Sequence, residues 1–279
     1  MVIVGKPRLR ATLRLTRLIG DEAMNFLEQF LVQGVFAFIL TFVRIGAAVT
    51  IMPGVGDTFT PQRIRLYISL GLSLVLSPLI APHLPNPVPV TAILLSLIVM
   101  EFIIGLFIGT IARILMVALD TAGMAISMMS GLGSAQIFNP AFSTQGSLVG
   151  AMFSVTGVLI LFATNMHHLL FYGLIGSYEL FPVGGIPDTG SMAELMSRAV
   201  AKSFLIGVEI SAPFIVVSLL VYIGMGVLTR LMPQIQVFLL ALPLQIILSL
   251  ITLSLMLSAG MMFWVARFEE GMVFFLSGG

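Results

Sequence analysis

The chain has 279 residues, of which 58% are hydrophobic and only 9% charged, against roughly 25% charged in soluble globular proteins. It contains no cysteine, which excludes disulfides, a thiolate nucleophile and cysteine-ligated zinc or iron-sulfur centres. The net charge of +1 argues against a nucleic-acid partner, which would demand a concentrated basic surface.

The mean hydropathy of +1.13 and apolar runs longer than the roughly 20 residues that cross a hydrocarbon core predict a multi-pass membrane protein. Residues 1–30 form a basic arm with Lys6, Arg8, Arg10, Arg14 and Arg17, followed by Asp21, Glu22 and Glu28. No compact apolar segment with a cleavage site follows promptly, so the arm reads as uncleaved, either interfacial or a cytoplasmic anchor. A start at Met24 would make it an artefact of the reading frame.

The remainder, 31–279, reads as one all-α domain of about six long apolar helices. The first covers residues 31–52 around Arg44 and ends at Pro53, Gly54, Gly56 and Asp57, a cluster of helix breakers. A second helix restarts at Pro61 with Arg63 and Arg65 and runs to residue 79, forming a hairpin with the first. Pro78, Pro82, Pro85, Pro87 and Pro89 then enforce a stiff connection. Residues 90–118 form a third helix carrying Glu101 and Arg113.

Residues 120–150, rich in Gly, Ser and Met, read as an irregular central loop that is too apolar for an ordinary surface connection. Residues 151–181 are expected to form one helix containing Asn165, His167 and His168, closed at Pro182. An amphipathic stretch, 191–198, leads into a helix over 202–228 with Glu209. After Met232 and Pro233 a last apolar stretch spans 235–264, which Pro243 is expected to break. The runs lack the alternation of a membrane barrel, leaving helices as the only spanning structure.

Two groups of residues invite a mechanism. Irregular backbone at membrane depth is tolerated where it is buried in protein or lines an aqueous cavity. Met128, Met129, Gly131, Leu132, Gly133, Ile137, Phe138, Asn139 and Pro140 therefore read as a pore plug or gasket, or else as a Met-rich packing loop. Arg44, Glu101, Arg113, Asp120 and Glu209 lie in or beside apolar runs, where an unpaired charge costs at least about 2.5 to 3.5 kcal/mol. Ion pairing between helices or subunits is favoured for them over an ion pathway.

Arg63 and Arg65, at a helix start, suit anionic headgroups, partner carboxylates or simple snorkelling. Positive charge on both sides of the first helix leaves its orientation open. Gln234, Gln236 and Gln245 are candidate hydrogen-bonding contacts across subunits. His167 and His168, adjacent on a helix, point about 100° apart and make a poor metal pair. No zinc-protease, catalytic-serine or P-loop motif occurs, so neither an enzyme nor a bound cofactor is expected. The two halves show no matching repeat of the kind many secondary transporters contain.

The stretch Gly224-Met225-Gly226-Val227-Leu228-Thr229-Arg230-Leu231-Met232-Pro233-Gln234-Ile235-Gln236-Val237-Phe238, followed by Leu242-Pro243-Leu244, resembles the arginine, proline-glutamine and second-proline pattern of the FliR family of flagellar export proteins and its injectisome counterparts. Arg44, then Pro61 with Arg63 and Arg65, then Asn165 with His167-His168 fall in the family's order. The segment from Ala122-Gly123 through Gly131-Leu132 to Phe138-Asn139-Pro140 is similar to its central loop. The resemblance covers nearly the whole chain after Met24, while the longer N-terminal arm departs from it.

That resemblance implies helical hairpins stacked in an export gate of the bacterial inner membrane, at the flagellar basal body. The implied partners are FliP-like, FliQ-like, FlhB-like and FlhA-like subunits, exported unfolded proteins and membrane lipid. It also implies that the central loop plugs the closed channel, and that a cytoplasmic ATPase and the proton-motive force supply the energy.

Overall fold

Lipid offers no hydrogen bonds to an open backbone, so each apolar run must satisfy its own peptide groups; the runs of this chain do so as helices. The computed structural model describes residues 31–84, 91–133, 147–185, 187–232 and 237–273, and the basic arm lies outside them. In chain order the helices are α1 (Leu31–Ile51), α2 (Gln62–Ile80), α3 (Thr91–Met129), α4 (Leu148–Ala163), α5 (His167–Leu180), α6 (Thr189–Leu231) and α7 (Val237–Val273), with a 3-10 turn at Ala81–His83. Five of them are long and apolar enough to cross a membrane, and α4 with α5 form a bent pair that makes up to six. The protein is all-helical among the described residues, as expected for a multi-pass membrane chain.

Several boundaries differ from expectation. Helix α3 does not stop near Ala118 but continues through Asp120 to Met129, a length of about 58 Å at 1.5 Å per residue. Ala118, Leu119, Ala122, Gly123 and Ile126 are buried along this extension, and that packing outweighs the weak helix propensity of Gly and Ser. The irregular region is therefore shorter than 120–150. It begins at Ser130, just past the helix, where Gly131 takes a positive φ of 76°, the left-handed conformation common beyond a helix C-terminus.

The helix expected over 151–181 is two helices, bent by 78° at residues 164–166. Asn165 occupies the left-handed region there with φ 59°, a conformation that Asn adopts more readily than most residues. Conversely, the amphipathic 191–198 segment and the following apolar run are one helix, α6, capped by Asp188. That carboxylate accepts from Ser191 Oγ at 2.6 Å and Gly190 N at 3.0 Å, contacts that hold it below the usual carboxylate range. Pro213 in α6 and Pro243 in α7 lie inside continuous helices; Pro243 does not break the last one.

Helix α3 is the hub. A Cβ added at Gly105 would stand 2.2 Å from the Arg44 carbonyl oxygen, and one at Gly109 2.7 Å from that of Ala48. This small-residue crossing, with glycines four apart, lets α1 and α3 pack backbone to backbone. A second close crossing sets Gly123 against Gly150 of α4, with 2.2 Å from the added Cβ to the Gly150 Cα. On α6, Ser203, Ile206, Gly207, Ile210, Ser211, Phe214 and Ser218 form one buried face, with Gly207 over Thr121 and Ala118. Trp264 of α7, fully buried, donates from Nε1 to the Leu115 carbonyl at 3.1 Å.

The outer surface inverts the soluble pattern. In α2, Ser69, Ser73 and Ser77 are buried while Leu74, Val75 and Leu79 are exposed. Small polar residues face helix neighbours and aliphatic ones face outward, as membrane helices arrange them.

Gly105→Ala is expected to force α1 from α3 and cost about 1–3 kcal/mol, the range for overpacking. Gly71→Ala, on α2 with nothing within 4 Å of the added Cβ, should be neutral or stabilise by up to about 1 kcal/mol. Thermal unfolding in detergent compares the two directly.

Candidate functional site

A charge in the apolar interior persists only with partners, and Arg44 has a full set. Its side chain is 0% exposed and that of Glu101 1%. Arg44 Nε donates to Glu101 Oε2 at 2.5 Å and Nη2 to Oε1 at 2.9 Å, a bidentate pair of the strong charge-assisted kind. The remaining donors turn to the end of α5: Nη2 to the Phe181 carbonyl at 2.8 Å, and Nη1 to the Ser177 carbonyl at 3.2 Å and hydroxyl at 3.3 Å. The Tyr178 ring lies beneath the guanidinium, 3.8 Å from its centre to Arg44 Cζ. One side chain thus ties α1, α3 and α5.

Arg113 pairs with Asp57, a residue that as sequence belongs only to a breaker cluster. Asp57 Oδ2 also accepts from Gly54 N at 2.7 Å, and its carbonyl accepts from Arg65 Nη2 and from Thr60 N at 2.9 Å. The turn between α1 and α2 is thereby folded onto the side of α3. Asp120, two turns beyond Arg113, is half-buried and its carbonyl lies 3.2 Å from the site of a Cβ on Gly150.

Glu209 and Arg230 are exposed rather than buried, and neither makes an ion pair among the described residues. Of the polar contacts named from sequence, Pro233 and Gln234 lie outside the described residues.

The C-terminal end of α3 is gripped by α6 and α7. Gln245, 3% exposed, donates from Nε2 to the Met129 carbonyl and to Tyr222 Oη at 3.3 Å. The amide nitrogen of this glutamine thus bonds within its own chain. Ser218 Oγ, which donates to the Ile215 carbonyl at 2.9 Å, lies 3.3 Å from Met129 Sδ, and a Cβ on Gly131 would meet Leu242 and Gln245. Met128, 67% exposed, projects outward from the same turn. Met128 and Met129 are thus the last turn of α3, not part of a loop, while Gly131, Leu132 and Gly133 are half-buried just beyond. Ile137, Phe138, Asn139 and Pro140 lie outside the described residues.

His167 and His168 stack with ring centroids 4.2 Å apart, and Phe162 lies 5.2 Å from His167. Among the described residues no group of three His, Cys, Asp or Glu side chains could hold a metal ion. Asp57, Ser177, Tyr178 and Tyr222 were invisible as partners in the sequence, because each acts through a contact between distant segments and none belongs to a spaced motif.

Arg44→Leu leaves Glu101 buried and unpaired and is expected to destabilise the chain by about 3–5 kcal/mol. Arg44→Leu with Glu101→Leu should recover more than half of that loss, the remainder reflecting the carbonyls of Ser177 and Phe181. A double variant as unstable as the single one, measured by thermal unfolding in detergent, would refute the coupling.

Known proteins share this architecture's sequence. The model of the bacterial export proteins, family 1, matches residues 35–271. The flagellar biosynthetic protein FliR of Caulobacter vibrioides is 39% identical over 237 residues, covering 85% of this chain and 94% of the relative. The FliR of Aquifex aeolicus is 32% identical over 232 residues, 82% and 87% of the two chains. The Yop proteins translocation protein T of Yersinia pestis is 29% identical over 154 residues, 54% of this chain and 59% of the relative. The match takes in the Arg44 and Glu101 helices, the bent α4–α5 pair and the Gln245 clasp alike, and the chain belongs to the bacterial export proteins, family 1, together with flagellar FliR.

Proposed function

We propose that the protein is a subunit of the flagellar type III export gate and forms part of the inner-membrane channel through which unfolded flagellar proteins pass. The observation that carries the reading is family membership across 35–271, with flagellar relatives covering 82–85% of the chain. The injectisome gate is the second reading, supported by the shorter Yersinia match. Placement at the basal body and association with FliP-like, FliQ-like, FlhB-like and FlhA-like subunits belong to the same proposal, as does a structural role without catalysis.

The outward aliphatic faces of α2, α6 and α7 support an assembly role. Leu219, Leu220, Ile223, Val227 and Leu231 of α6 are all exposed, and so large an apolar surface is suited to lipid or to neighbouring helices. The segment from Met128 to Pro140 acts, on this reading, as the plug of the closed channel, with its root held by Gln245 and Ser218. Polar side chains such as Arg44 and Glu101 hold the helices around it and do not conduct ions.

Two measurements test this. Gentle solubilisation and native mass measurement should find the protein travelling with FliP-like and FliQ-like subunits; a lone chain or homodimer from cells making those subunits would refute the reading. Deleting part of residues 131–137 should make membranes holding the assembled complex leak ions, whereas an intact permeability barrier would refute the plug.

A further inference from the structure

Two hollows flank the turn between α5 and α6 and share Pro182 in their walls. One, of about 390 Å³, lies against the end of α2 and is walled by Leu76, Leu79, Ile175 and Val183, with the exposed Glu179 in its lining. The other, of about 240 Å³, is walled by Phe181, Met192 and Leu195, with the exposed Asp188 in its lining. Each therefore joins an apolar wall to one accessible carboxylate.

Those carboxylates have no cation. Neither Glu179 nor Asp188 forms an ion pair among the described residues, and the first cation of α6, Arg198, is engaged by Glu194. Asp188 uses one lone pair of each oxygen on Gly190 N and Ser191 Oγ and keeps others for a further donor. A carboxylate set against apolar surface calls for a positive partner.

The chain carries such a partner within reach. Val183 packs on Phe36, Ala37 and Leu40, so the start of α1 stands within about 14 Å of the turn along the helix axis. The thirty residues before Leu31 place Lys6, Arg8, Arg10, Arg14 and Arg17 in their distal half, interleaved with Leu9, Leu13, Leu15 and Leu18, and keep Asp21, Glu22 and Glu28 next to α1. The fourteen residues from Arg17 to Leu31 extend up to about 46 Å, enough for the basic half to return to the turn.

We propose that residues 6–18 dock on the α5–α6 turn, with leucine side chains in the two hollows and basic side chains on Glu179 and Asp188. The alternation of leucine and arginine matches walls that alternate aliphatic surface with carboxylate, and the tether removes most of the cost of bringing the two together. Docked in this way, the arm straps the start of α1 to the ends of α2 and α5. The inference concerns a segment that precedes the family match at residue 35 and stands apart from the export reading.

The test is brief trypsin digestion of the purified membrane complex in neutral detergent, since trypsin cuts after the arm's own basic residues. The wild-type arm should be cut slowly, and Glu179→Gln with Asp188→Asn should speed cutting roughly fivefold, as expected for two exposed ion pairs. Asparagine preserves the cap of α6, and native mass measurement should find that complex intact. Glu209→Gln, an exposed acid farther along α6, should leave the rate unchanged. Equal rates in the double variant and the wild type would overturn the proposal. So would protection that appears only in phosphatidylglycerol vesicles, which would make the membrane the occupant.

Because the chain has no cysteine, a benzophenone attached to Leu13→Cys reports one position. Illumination should join it to residues 76–80 or 175–195 of the same chain. Adducts confined to lipid or to another subunit, or a purified chain whose mass begins at Met24, would sink the idea.

Discussion

The fold depends on the satisfaction of a single guanidinium. Arg44 sits at 0% exposure in the middle of an apolar helix, where losing its partners costs more than most side chains contribute. Glu101 supplies the opposite charge, but a carboxylate can take only part of a five-donor fork. The rest requires carbonyl oxygens, and those of Ser177 and Phe181 come from the end of α5. The Ser177 carbonyl accepts from Phe181 N as well, at 2.8 Å, while that of Phe181 lies past the helix end; this end of α5 carries the negative pole of the dipole and serves as a second, uncharged counterion. Helix α5, which delivers these carbonyls, meets α4 at a 78° bend with left-handed Asn165 at the corner.

The knot works only because the backbones come close. Without a hydrophobic drive between helices in lipid, association rests on dispersion contact and polar stitches, both of which need short distances. Gly105 and Gly109 bring α3 against the very turn of α1 that carries Arg44. Gly123 and Gly207 repeat the device toward α4 and α6. The long central helix therefore presents small residues to several neighbours in succession, and its length beyond a simple span is what allows it to touch α1, α4, α6 and α7 along different turns.

Much of this was legible in the sequence. Apolar runs of sufficient length, with Arg44, Pro61 and the proline-rich connector as punctuation, identify the helices and their order because lipid leaves the backbone no alternative. Residues 120–129 misled because Gly and Ser count against a helix locally, whereas Gly123 is there to meet Gly150 and tertiary burial decides the outcome. Pro243 misled in a related sense, as prolines in long membrane helices are accommodated without ending them. The pairing pattern was not legible. Arg44 with Glu101 and Arg113 with Asp57 join residues 57 and 56 positions apart, and no local spacing announces such contacts.

The two ends of α3 are held by interactions of different strength. Near its start, a charge-assisted bidentate pair is buried with carbonyls and an aromatic face around it, and breaking it would strand a charge at a cost of about 3–5 kcal/mol. At its end, the Met129 carbonyl is held by the neutral Gln245 amide, and Ser218 adds a weak contact to sulfur. Neutral hydrogen bonds of that kind contribute about 0.5–1.5 kcal/mol each. A force on the helix would therefore release the end that leads into the central loop long before it disturbed the Arg44 knot. If the proposed plug moves, this weaker attachment at the end of α3 is the one it strains first, ahead of the Arg44 knot.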